Sequence, residues 1–222
     1  MHFLLVHGTT QTPVGWQLLT GELAALGHST STTDLAAFGS DLTAMGYAAA
    51  VQAEHAGEPA PAVVGHSGAG LLVPAIAEAM GAALQVFLAA YVPSGSRSLM
   101  SELEADPTGM MHPDWIGVDP GIDHDAARRF LFHDCTPDMS EWAIGTLRTF
   151  APRSLYSEVV PVAPGIPAIS IVPDGDRTLR PEWMISATRE RLGVEPHIID
   201  GGHCPHVSRP ATVAAILDSA AG

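Results

Sequence analysis

Residues 61–80 read PAVVGHSGAGLLVPAIAEAM, and this stretch limits the possible folds most tightly. A short apolar run, Ala62–Val64, leads into Gly65-His66-Ser67-Gly68-Ala69-Gly70, and a helical pattern, Leu71–Met80, follows at once. Three glycines and a serine at such a junction mark a turn with little room for side chains, through which a buried strand feeds straight into a helix. A strand–turn–helix of this kind is half of a β–α–β unit. It calls for a parallel sheet covered by helices.

The rest of the chain supplies matching pieces. His2–Val6 reads as a buried strand, and His28–Thr33 as a weaker one, polar but rich in β-branched threonine. Leu84–Ala90, Ala168–Val172 and Glu195–Ile199 read as three more strands. Helical patterns lie between them. Trp16–Leu26 carries Trp16, Leu19, Leu23 and Leu26 at three- and four-residue spacing and stops at Gly27. Asp41–Glu54, Pro181–Leu192 and Pro210–Ala220 complete the set. The last two open with proline, whose missing N–H goes unused in a first helical turn. The expected fold is therefore α/β: a mostly parallel sheet of about six strands with helices on both faces. Residues 94–160 interrupt the alternation with many prolines, two helical patches (Asp123–Phe132 and Asp138–Thr149) and no strand-like run. They read as a lid or cap insertion over one edge of the sheet, inside a single domain spanning residues 1–222.

Charge narrows the partners. The formal net charge is −14, and all ten basic residues are arginine. An acidic surface repels phosphate backbones and anionic lipid, so neither nucleic acid nor a membrane is an expected partner. Without lysine, no Schiff base can form on a lysine amine. The apolar runs are too short to span a bilayer, and the opening MHFLLVHG lacks the basic start and long apolar core of a signal peptide. The expectation is a cytoplasmic protein whose two cysteines, Cys135 and Cys204, are free thiols. His203-Cys204-Pro205-His206 has no second ligand pair at metal-binding spacing, so no metal is expected.

Serine at the turn suggests chemistry. A serine hydroxyl is a weak nucleophile until a base takes its proton, and a strained elbow at the mouth of a sheet exposes it. Gly65 and Ala69 flank Ser67 in the Gly-x-Ser-x-Gly pattern, with alanine in the last place. The following helix points its N-terminus, where negative charge is stabilised, at the same spot. Two further segments fall in the right order. IVPDGDRTL, residues 171–179, ends one strand, and IIDGGHCPHVSRP, residues 198–210, follows the last. Carboxyl ends of parallel strands gather on one edge of a sheet, so Ser67, an aspartate from 174–176 and His203 can meet there.

The ordered set resembles the α/β-hydrolase superfamily, and within it is similar to the small esterases related to plant methyl esterases and hydroxynitrile lyases. The resemblance runs through Phe3-Leu4-Leu5-Val6-His7-Gly8-Thr9, Gly65-His66-Ser67-Gly68-Ala69 and Leu131-Phe132-His133-Asp134-Cys135. It continues through Asp176-Arg177-Thr178-Leu179-Arg180-Pro181-Glu182, and closes with Gly202-His203-Cys204-Pro205-His206 and Ser208-Arg209-Pro210. It implies a minimal sheet that starts at the His-Gly strand, without the family's first two. It makes Ser67 the nucleophile, His203 the base and then acid, and Asp176 the orienting carboxylate, with Asp174 and His206 as the competing acid and base. The N–H groups of Gly68 and Thr9 would form the oxyanion hole, His7 would brace its loop, and Cys204, Asp134 and Cys135 would serve structure. His66, Phe132 and Trp142 are expected around the substrate, with His112 and Trp115 as further candidates from the insertion. The implied activity is cofactor-free hydrolysis of a carboxylic ester, thioester or lactone of a small, largely apolar molecule, by a monomer or a homodimer. Two alternatives stay open: a tailoring enzyme using the same triad for non-hydrolytic chemistry, and a non-catalytic small-molecule binding protein. A lyase of this group would need a pocket lysine and threonine in place of Gly8.

Overall fold

The computed structural model describes residues 1–222. Six strands form one sheet: β1 (His2–Val6), β2 (Ser29–Thr33), β3 (Ala62–His66), β4 (Leu84–Leu88), β5 (Ala168–Pro173) and β6 (His197–Ile199). Their order is β2-β1-β3-β4-β5-β6, and every pairing is parallel. Strand residues alternate between two cores, as a period of two requires. Leu4, Val6, Val63, Phe87 and Val172 face one; Phe3, Leu5, Val64, Val86, Leu88 and Ile171 face the other.

The helices that cover these faces run along the chain as α1 (Gln17–Ala25), α2 (Ala44–Glu54), α3 (Val73–Met80), α4 (Leu99–Ala105), α5 (Pro107–Met110), α6 (His124–Ala126), α7 (Pro137–Ile144), α8 (Arg153–Ser157), α9 (Pro181–Ala187), α10 (Pro205–Ser208) and α11 (Pro210–Ala221). Helices α1 and α11 cover the face of Phe3 and Leu5, through Leu19, Leu23, Val213 and Leu217. Helices α2, α3 and α9 cover the other, through Tyr47, Val51, Ile76 and Met184. Local chemistry sets several ends. Thr43 caps α2 by accepting from the Gly46 N–H at 3.1 Å, and Gly81 closes α3 in a left-handed conformation.

Two helical patterns were expected across residues 94–160, and the chain forms five short α-helices there. Helices α4 and α5 carry ordinary start signals. Ser98 accepts from the Ser101 N–H at 3.2 Å, and Asp106, followed by Pro107, accepts from the Gly109 N–H at 2.9 Å. The expected Asp123–Phe132 helix is α6 widening into a π-helical stretch, Ala127–Leu131. Leu99, Met110, Phe150 and Leu155 of this segment join the core on the α2–α3 face. Ala127, Leu131, Phe132, Ala143 and Ile144 make a small satellite with Cys204 and Val207. No helix is long and apolar enough to cross a membrane.

Candidate active site

Ser67 follows β3 directly and has φ +55°, a left-handed conformation that L residues rarely adopt. The neighbouring glycines hold the elbow closed. A Cβ at Gly65 would collide with Val73 Cγ2, and one at Gly70 with the Tyr91 carbonyl oxygen. At Gly68 it would stand 2.7 Å from Thr9 Cγ2. Ala69, the departure from the motif, is buried in the core without needing glycine's freedom. Packing demands glycine one residue beyond the motif's last place, at Gly70.

The strand ends bring the partners in. Ser67 Oγ lies 3.0 Å from His203 Nε2, and His203 Nδ1 lies 2.7 Å from Asp176 Oδ2. Ser67 therefore donates to Nε2 when Nδ1 carries the proton shared with the carboxylate. Asp176 is buried, and its other oxygen accepts from the Thr178 N–H at 2.7 Å, the Thr178 hydroxyl at 3.0 Å and the Leu179 N–H at 3.2 Å. Asp174, two residues earlier, is exposed and makes no such contact. The Thr178 oxygen also stands 2.7 Å from His203 Nδ1, so it touches Asp176 and His203 together. The sequence reading missed it, although an Asp-x-Thr turn, with its side chain–backbone bonds, was there to be read.

His203 sits on a loop that is tied to its surroundings. The Gly202 N–H donates to Asp134 at 2.8 Å, the Gly175 N–H to the Gly201 carbonyl at 3.0 Å, and the His133 ring to the Gly175 carbonyl at 3.0 Å. His133 and Asp134 thus clamp the loops bearing Asp176 and His203. His7 donates through Nδ1 to the Gly8 carbonyl at 2.8 Å and accepts at Nε2 from the Leu35 N–H at 3.1 Å. Burial lowers its basicity, and both contacts suit a neutral ring that braces the loop. Cys204 accepts from Gln11 at 3.1 Å, and burial pushes its thiol well up; burial likewise pushes Cys135 up to about 12. No group of three or more His, Cys, Asp or Glu side chains is arranged to hold a metal ion.

Over Ser67 opens a cavity of about 260 Å³ whose walls include Thr9, Gly68, Tyr91, Leu99, Trp115 and Leu179. Thr9 and Gly68, the expected oxyanion donors, stand side by side on it. Three expected substrate contacts are corrected here. His66 is buried behind the elbow, where it donates from Nε2 to the His203 carbonyl at 2.8 Å. Phe132 and Trp142 pack with the satellite of Leu131, Ala143 and Val207, away from the cavity. The aromatic contribution of residues 94–160 is Trp115 instead, with Tyr156. His206, the competing base, packs tilted against Trp16 and edge-on against His66, at ring distances of 4.5 Å each. Burial, then the charge of His203, lowers it to about 3, and burial first holds His66 far below its ordinary value too.

A profile of the alpha/beta hydrolase family matches residues 3–216. Among solved structures, polyneuridine aldehyde esterase is similar at TM-score 0.81 and 18% identity, over 100% of this chain and 99% of that one. The pyrethroid hydrolase PytH is similar at 0.83 and 17%, over 99% and 96%. The methylesterase MES16 from Arabidopsis is similar at 0.74 and 20%, over 100% and 98%. A search of curated proteins finds no match. At such identities the structural likeness is one of fold, and the profile match agrees with it: the chain belongs to the alpha/beta hydrolase family.

Proposed function

We propose that the protein is a serine hydrolase of carboxylic esters, acting on a small, largely apolar molecule through Ser67, His203 and Asp176. The observation that carries the reading is the unbroken line from Ser67 Oγ through the His203 ring to buried Asp176, at 3.0 and 2.7 Å, at the floor of an apolar cavity. In the acylation step His203 Nε2 takes the Ser67 proton as Oγ attacks the ester carbonyl. The N–H groups of Thr9 and Gly68 receive the negative oxygen, a contribution of roughly 3 kcal/mol per donor. His203 then gives its proton to the departing alkoxide, leaving an acyl group on Ser67. Water, deprotonated by His203, releases the acid in the second half. Asp176 holds the Nδ1–H and stabilises the imidazolium throughout.

Esterases and hydrolases among the similar structures support the same chemistry. A cytoplasmic setting goes with two thiols that are not paired with each other. The lyase variant is disfavoured by crowding: a Cβ at Gly8 would stand 2.9 Å from Ser67 Cβ and 3.0 Å from His66 Nδ1. The test is intact mass after incubation with a fluorophosphonate. One adduct on wild type, and none on Ser67→Ala or His203→Ala, is expected. A folded wild type that takes no adduct overturns the reading.

A further inference from the structure

We infer that the substrate is an uncharged ester with two arms, a compact acyl arm held in an inner chamber and a longer leaving-group arm held in an outer one, and that coenzyme A thioesters are excluded. This rests on the hydrolase reading of Ser67 and narrows the ester and thioester class by the charge of the leaving group.

The cavity over Ser67 does not end the space available. A second, more open chamber of about 460 Å³ adjoins it, and the two share Thr9, Thr10, Met111, Trp115 and Tyr156 in their walls. The inner chamber alone falls below the roughly 300 Å³ where small-molecule sites begin. The outer one brings the pair into that range. Ser67 and Gly68 border only the inner chamber, whereas Thr9 borders both, so the reacting carbonyl belongs at the junction. The acyl group stays on the serine after the first step and suits the enclosed side. The leaving group departs first and suits the side that opens to solvent.

Charge then decides the class of leaving group. The inner chamber has no charged residue in its wall, and the outer one has Glu104 alone. Burial pushes the Tyr156 phenol up to about 12, so it stays neutral as well. No arginine lines either chamber, there is no lysine in the chain, and the formal net charge is −14. A multiply phosphorylated arm would meet one carboxylate, no cation and a repulsive field. A neutral arm loses nothing on entry and gains apolar contact with Trp115, Val118 and Phe150.

Two thioesters with the same acyl group test this: butyryl-N-acetylcysteamine, which is neutral, and butyryl-coenzyme A. The expected result is a kcat/KM at least about 100-fold higher for the neutral form. Ser67→Ala should bind the neutral form in calorimetry and not the other. Parity, preference for coenzyme A, or binding of neither by Ser67→Ala overturns the inference. Glu104→Arg should raise the relative rate on butyryl-coenzyme A. Ala151→Trp, at an exposed position on the outer wall, should cut the ratio of hexyl butyrate to methyl butyrate hydrolysis at least about tenfold. Val118→Trp repeats that test elsewhere on the wall. An unchanged ratio in both removes the outer arm. Failure of fluorophosphonate labelling with selective neutral binding sinks the hydrolase reading alone; labelling with preference for coenzyme A sinks the substrate inference alone.

Discussion

Thr178 illustrates how much one hydroxyl can carry. Its O–H donates to Asp176 Oδ1, which leaves its lone pairs facing His203 Nδ1. Removing it keeps the triad but loosens both partners. Thr178→Val is expected to lower kcat by about ten- to a hundredfold, the scale of a hydrogen bond to a charged group. Steady-state kinetics on a reactive ester checks it. Asp176→Asn should cost about 10⁴ in kcat, because the imidazole is then held in the wrong tautomer. Asp174→Asn should leave kcat near wild type, and equal losses in the two would reassign the acid. His66 works from behind, through the His203 carbonyl. The titratable groups around that pair are His7, His206 and Asp176. His66→Phe should lower kcat roughly tenfold with KM unchanged and shift the acid limb of the kcat/KM profile. His66→Gln, which can still donate, should recover most of both. A flat pH profile in His66→Phe would reduce the residue to packing.

At the scale of elements, the elbow shows what was legible. The strand, the turn, the serine and the order serine, acid, histidine all stood in the sequence, because each has a local cause: apolar run, crowded turn, strand end. Which glycine the turn depends on did not. Gly70 lies against the Tyr91 carbonyl, and Tyr91 follows a different strand, so only the folded sheet reveals the collision. Gly70→Ala is expected to cost about 2–3 kcal/mol and lower Tm by roughly 5–10 °C in calorimetry. The stretch 94–160 was the hardest part to read. Phe132 and Trp142 lie on apolar helical faces, and periodicity says that a face is covered without saying by what. Here Cys204 and Val207 belong to the covering cluster. The cavity wall instead comes from Leu99, Trp115 and Tyr156, three pieces that meet only after folding. Yet α4 and α5 carry caps at Ser98 and Asp106 of the same kind as Thr136 at the start of α7.

The whole molecule stores a pH response in its buried histidines. Unfolded chains take up a proton on each histidine as pH falls through about 6.5. In the fold, burial keeps His66 neutral far below that, and His206 neutral to about 3. Their contribution is fully present above pH 6.5 and is lost progressively as pH falls towards 3, because the unfolded state binds more protons there. Urea midpoints at pH 7.5, 5.5 and 4.5 should therefore fall, and His206→Phe should make the fall shallower. An identical slope would locate the acid sensitivity elsewhere. The sheet ends on β2, five residues all serine or threonine, and on β6, only three residues long. Neither border is a broad greasy template for a stranger's backbone. Self-association into fibrils finds no ready seed on the native protein, so any clumping on storage should begin only after partial unfolding.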